Sequence, residues 1–140
     1  ETWSATALQQ FFEQQCGLFL AWAEQEMAHR QARDDAARTL AFPHQHFRTG
    51  QRALAEAVYK TASTGRCLMA QAPTGIGKTI GTLFPLLKAM PGQQLDKLLF
   101  LTAKTPGRKL ALDAAQALYP PGQPVPLRVL ELVARDKACE

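Results

Sequence analysis

Four residues in one short run have the types and spacing to handle a phosphate: Gly75, Gly77, Lys78 and Thr79, within APTGIGKT at positions 72–79. Two glycines let the backbone curl so that successive N–H groups face one concavity with no side chain in the way. Lysine adds a mobile cation for the β- and γ-phosphates of a nucleotide, and the hydroxyl beside it can ligate Mg²⁺. The strict form of such a loop opens with Gly, and here Ala72 stands in that place. A plain turn between two buried elements has no use for adjacent Lys and Thr. Pro73, Thr74, Gly75, Ile76, Gly77, Lys78 and Thr79 therefore read as a nucleoside triphosphate site, with Lys78 and Thr79 as the catalytic pair and Thr79 also as the Mg²⁺ ligand.

A phosphate cradle works where a buried element ends and a helix begins, because the unpaired N–H groups and the positive end of the helix dipole point outward there. The flanking sequence fits. CLMAQA (67–72) is a short apolar run bounded by turn signals, as a buried parallel strand would be, and a helical pattern runs from Gly77 to about Ala89, closed by PGQQ. KLLFLTA (97–103) reads as a second strand and LRVLELVA (127–134) as a third. Between them GRKLALDAAQALY (107–119) reads as a helix with Leu110, Ala114, Ala117 and Leu118 inward. Strand–helix–strand–helix–strand implies an α/β fold, a parallel sheet flanked by helices.

Upstream, a helix from about Gln51 to Ala62 turns Leu54, Ala57, Val58 and Thr61 to one side, and Gly65 breaks it. Residues 1–41 form a helical segment of their own. Leu8, Phe12, Cys16, Phe19, Leu20, Ala23 and Met27 recur at steps of three or four, the period of one packing face, and a charged run follows. Pro43 is expected to end this helix.

The bulk numbers set wide bounds. A chain of 140 residues is long enough for one domain with a sizeable core. Its 16 Lys+Arg against 12 Asp+Glu give a formal charge of +4, compatible with a nucleotide or nucleic acid partner and proof of neither. Three widely spaced cysteines, Cys16, Cys67 and Cys139, do not make a disulfide framework. No apolar run spans a bilayer and no signal leader opens the chain, so a soluble cytoplasmic protein without a membrane partner is expected.

Three smaller features carry chemistry. A glutamine amide at Gln51 can pair with the N6 donor and N7 acceptor of adenine together, with Arg48 and Phe47 nearby; it can equally sit in solvent at a helix start. LTAKT (101–105) follows the second expected strand at its carboxyl end, where Thr102, Lys104 and Thr105 could donate to a phosphate backbone, or merely close the strand. Arg108 and Lys109 fall in the first turn of the next helix, unfavourably for its dipole. His44 and His46 have no further ligands near them and read as loop residues.

Taken together, FRTGQ, APTGIGKT and LTAKT resemble the helicases of superfamily 2. In detail residues 42–140 resemble the DinG/XPD-like branch of iron–sulfur DNA helicases, and among them bacterial members in which a PD-(D/E)XK nuclease domain precedes the motor. The resemblance implies a P-loop NTPase (RecA-like) motor domain, incomplete in this chain, with ATP and Mg²⁺ as cofactors and 5′→3′ unwinding on single-stranded DNA as the activity. It implies adenine contacts for Arg48 and Gln51, single-stranded DNA contacts for Thr102, Lys104 and Thr105, and an iron–sulfur cluster in the full-length protein with Cys139 as its first ligand. Residues 1–41 would bridge from the upstream nuclease domain. No Asp-Glu-x-His box follows residue 79, so the 140 residues are expected to bind nucleotide without hydrolysing it. Two rival readings share the same residues: another P-loop phosphotransferase or ATPase, and a non-catalytic module whose first helix docks a neighbour.

Overall fold

The computed structural model of the chain describes residues 3–103, 105–119 and 127–133, and in them four helices in the order α1 (Ala5–Thr39), α2 (Gln51–Thr64), α3 (Lys78–Gln93) and α4 (Thr105–Leu118). Each forms for a local reason. Ser4 caps α1 by accepting a hydrogen bond from the Ala7 N–H at 3.2 Å. With 35 residues α1 is about 52 Å long. It stops at Thr39, short of the expected end at Pro43, and Lys88 closes it by donating to the carbonyls of Arg38 and Leu40, both at 2.9 Å. A cation at a helix C-terminus satisfies orphan carbonyls and opposes the negative end of the dipole. Gly65 ends α2 in the left-handed conformation, as its position in the sequence indicates. Helix α3 runs through both Pro85 and Pro91 to Gln93, where Gln94 turns left-handed at φ 53°.

Helix α3 is the centre of the molecule. Ile80, Leu83, Leu87 and Met90 join Leu40 and, from α4, Ala114 and Leu118 in one buried cluster, with Phe42, Phe84, Leu98, Tyr119 and Leu127 packed around it. Ala55 and Val58 of α2 are buried as well. The inward faces expected for α2 and α4 hold in part: Val58, Ala114 and Leu118 are buried, Leu54, Ala57 and Thr61 are half-buried, and Leu110 and Ala117 face out.

The expected parallel sheet is not there. Among the described residues there is no strand, and the fold is all-helical rather than α/β. The expected strands at 67–72, 97–103 and 127–134 have no ladder partner among the described residues, which in the last run end at 133. Leu98 and Leu127 lie against the core, but other apolar side chains of these segments face outward: Met69 is 101% exposed, Leu101 88% and Leu130 80%. For two of the three runs the physical reason lies in composition; LRVLELVA carries Val129 and Val133 but has no paired neighbour. CLMAQA and KLLFLTA are apolar without a single Val or Ile, and Leu, Met and Ala favour helices as readily as strands. Length and apolarity alone do not form a parallel strand, which needs hydrogen-bonded neighbours and covered faces.

The stripe along the first half of α1 is also uncovered. Leu8, Phe12, Phe19, Leu20 and Met27 are exposed, together with Phe11, Leu18 and Trp22. Contact with the rest of the chain begins farther along. Arg128 pairs with Glu26, and its hydrogen bond holds the Glu26 carboxyl below the usual carboxylate range. Arg30 pairs with Asp96 at 2.7 Å, and the buried Arg33 donates to the Asp96 carbonyl and to the Asp34 carboxylate.

The Lys88 bridge gives a first test. Lys88→Met keeps the aliphatic stem and removes the cap on α1, and should lower stability by about 1–2 kcal/mol. Urea unfolding should show a lower midpoint at an unchanged slope; an unchanged midpoint would show that the cap contributes nothing.

Candidate functional site: the phosphate loop

The loop from Ala72 to Gly77 leaves an unpaired segment and turns twice through the left-handed region, at Gly75 (φ 83°) and Gly77 (φ 81°), before α3 begins at Lys78. An L side chain in that region costs about 1–2 kcal/mol, which is why the loop needs glycine at both positions. Gly77 caps α3, and its carbonyl accepts the first helical bond from the Gly81 N–H at 2.9 Å. Lys78 and Thr79 thus stand in the first turn of α3, as the sequence indicated. The Lys78 ammonium reaches back over the loop to the carbonyls of Ala72 (3.1 Å) and Pro73 (2.9 Å). It is exposed, and Thr79 is half-buried. Thr82 supports the turn, its hydroxyl donating to the carbonyls of Lys78 and Thr79, both at 3.0 Å.

The segment before α2 holds the loop from the other side. Phe42 stacks on Phe47 with ring centroids 4.0 Å apart and meets Phe84 of α3 edge-on at 5.4 Å. That packing brings Arg48 over the loop, where its guanidinium donates to the Gly75 carbonyl. Gln51 accepts from the Arg48 N–H at 3.0 Å and donates to the Gly77 carbonyl at 3.1 Å. Ile76 is buried against Gly50, where an added Cβ would lie 3.1 Å from its Cδ1. Gly50 is itself left-handed (φ 77°), so a side chain there would be strained by about 1–2 kcal/mol and would require Ile76 to give way.

Arg48, Gln51 and the whole of 73–79 therefore meet in one place. Gln51 arrives differently from the expectation. It is 2% exposed, with both ends of its amide bonded to backbone. The sequence reading did not single out Gly50, the left-handed turn against Ile76; its signal is a glycine immediately before the amide residue in FRTGQ.

The remaining expected residues lie elsewhere. Thr102 sits against the first turn of α4, so close that a Cβ on Gly107 would approach its Oγ1 to 2.2 Å. Lys104 lies outside the described residues, and of Thr105 only its place at the start of α4 is described. Arg108 forms an ion pair with Glu131, which accounts for a cation otherwise misplaced at a helix start, while Lys109 is exposed. His44 and His46 are exposed loop residues. Cys139 lies outside the described residues; Cys16 and Cys67 are free thiols. No group of three or more His, Cys, Asp or Glu able to hold a metal occurs among the described residues. No described helix is long and apolar enough to cross a membrane. Two open apolar grooves, one of ≈ 200 Å³ along α4 and one of ≈ 380 Å³ along α1, contain no loop residue.

Chemically the loop offers two glycine-freed turns, one exposed ammonium, one hydroxyl and a helix N-terminus, a donor set suited to a triphosphate with its Mg²⁺. The family model for the DEAD/DEAH box helicases matches residues 49–138, which begins at the turn carrying Gly50 and takes in the whole loop. The chain belongs to the DEAD/DEAH box helicase family. Members of this family are ATP-dependent helicases and ATPases that use ATP and Mg²⁺. Comparison with curated proteins and with solved structures gives no match.

The two loop glycines should respond differently to substitution. Gly75 has open space around an added Cβ, so Gly75→Ala meets only the left-handed strain of about 1–2 kcal/mol. An added Cβ on Gly77 would in addition fall 2.3 Å from the Gln51 amide nitrogen. Thermal unfolding should place Gly77→Ala clearly below Gly75→Ala; equal losses would mean that the loop exit is loosely packed.

Proposed function

We propose that this chain is the ATP-binding part of a DNA helicase of the DinG/XPD-like kind, moving 5′→3′ on single-stranded DNA. The observation that carries the reading is the phosphate loop at the head of α3, with Lys78 and Thr79 in its first turn and Arg48 and Gln51 bonded to its backbone. Family membership supports the ATP-dependent motor, and the combination FRTGQ, APTGIGKT and LTAKT supports the branch. In this reading Lys78 leaves the Ala72 and Pro73 carbonyls to pair with the β- and γ-phosphates, while the loop N–H groups hold the bridging and terminal oxygens. Thr79 would hold Mg²⁺, which supplies neutralising charge to the phosphates when bound. Thr102, Lys104 and Thr105 would grip the DNA backbone without reading its sequence.

Two further parts of the proposal rest on the resemblance. Cys139 is assigned as the first ligand of an iron–sulfur cluster in the full-length protein, because the sequence before it resembles the segment that precedes the first cluster cysteine in that branch. Residues 1–41 are assigned as the bridge from an upstream nuclease domain, and the exposed apolar half of α1 is consistent with a helix that meets another body.

Lys78→Ala should abolish ATP turnover in the full-length protein at an unchanged far-UV circular dichroism spectrum, since Lys78 is exposed and its loss removes no core contact. Phosphate release at the wild-type rate would overturn the central assignment. Replacing Lys104 by Ala should lower single-stranded DNA affinity about equally for unrelated sequences and reduce the salt slope by nearly one unit. A sequence-selective loss, or no loss, would remove this segment from the DNA path.

A further inference from the structure

We infer that the exposed half of α1 is a docking face for an amphipathic helix of a second protein, one that carries Lys or Arg along one edge. The inference is independent of the nucleotide reading, because the face contains no residue of the phosphate loop.

Shape is the first ground. Phe12, Gln15, Cys16, Phe19 and Leu20 line the open apolar groove of ≈ 380 Å³ on α1. Residues at this spacing are neighbours on one helix surface, and together they enclose a hole for a side chain of a facing helix. Cys16 is its small, half-buried floor, and the rings of Phe12 and Phe19, both exposed, are its walls. Trp22 braces Phe19, with ring centroids 5.7 Å apart. Large aromatic side chains around such a hole are the anchors on which a helix-in-groove contact depends. From Ala5 to Gln25 the helix offers about 31 Å of length, and its ion pairs with the body begin only at Glu26.

Charge is the second ground, and it decides what covers the groove. Residues 3–25 contain two carboxylates, Glu13 and Glu24, and no Lys or Arg. Both are exposed. At 3.6 residues per turn they lie about 20° apart around the helix and about 16 Å apart along it, on the border beside Leu20. The groove therefore has one acidic edge with two charges three turns apart.

A lipid surface does not suit it, since helices that lie on anionic membranes carry Lys and Arg on the polar face. Nor does a nucleic acid, whose phosphates the acidic edge repels. A second copy packed antiparallel would set acidic edge against acidic edge, and a parallel one would leave the carboxylates unpaired. A helix with an apolar face and a basic edge both fills the groove and pairs the two carboxylates.

The test titrates the full-length protein with two synthetic stapled helices of about 20 residues, long enough to follow the exposed half of α1. They share one leucine face and differ along one edge, Lys in one and Glu in the other, at two positions three turns apart. Calorimetry should show the Lys-edged helix binding about tenfold more tightly, with the margin shrinking as salt rises. Glu13→Lys/Glu24→Lys should reverse the preference. Phe12→Ser/Phe19→Ser should weaken both helices by about thirtyfold without lowering Tm, because both rings are exposed. Equal binding of the two helices, a preference untouched by the charge swap, or no binding at all would overturn the inference. Light scattering and vesicle sedimentation test the rival occupants. A wild-type dimer that Phe12→Ser/Phe19→Ser dissolves would give the face to a second copy. Sedimentation with phosphatidylserine vesicles, lost in the same variant, would give it to a membrane.

Discussion

Every helix in the described chain is held in place by α3. Helices α1, α2 and α4 each pack on it, and none of them packs on another. The burial of Ile80, Leu83, Leu87 and Met90 is thus the interaction on which the arrangement depends. At roughly 1.5–3 kcal/mol for each fully buried aliphatic side chain, this one helix face outweighs any single polar contact in the molecule. The phosphate loop is the N-terminal continuation of that same helix. A loop that must keep two left-handed turns and an exposed ammonium in register needs a stiff base, and the most buried helix of the fold supplies it.

The polar contacts then serve placement. Lys88, one turn from the far end of α3, closes α1; Arg30 and Arg33 tie α1 to Asp96, just beyond the end of α3; Arg48 and Gln51 tie the start of α2 to the loop that opens α3. Exposed ion pairs such as Arg30–Asp96 contribute little by themselves. The buried contacts differ, since a buried amide deprived of its partners loses about 1–3 kcal/mol. Gln51 is the clearest case, 2% exposed with both ends of its amide bonded to backbone.

The loop was legible in the sequence because its constraint is local: glycine where φ must be positive, then Lys-Thr at a helix start, all within eight residues. The helices were legible for a similar reason, from Gly65 as a stop and from the periodicity of α2 and α4. The sheet was misread because a short apolar run has no local mark that tells a ladder from an unpaired segment; only partners decide, and partners are distant in sequence. Gln51 shows the same limit at the level of one side chain. Its type announced two hydrogen bonds, but which groups would receive them depended on a carbonyl 26 residues away.

Helix α1 divides physically near Glu26. From there to its end, charged side chains of both signs find partners on the body, Glu26 in Arg128 and Arg30 in Asp96, and Lys88 binds the backbone carbonyls at the helix end. Before it, residues 3–25 include no Lys or Arg, and large apolar side chains stand exposed around a wide arc. A helix stays together in water through its own backbone bonds and caps, and the tertiary contacts that stabilise it need not extend along its whole length. The anchored half bears on α3 through Lys88 and Leu40, while the phosphate loop opens the same helix at its other end. The exposed half of α1 and the glycine loop are thereby two ends of one packed unit, joined through the most buried helix among the described residues.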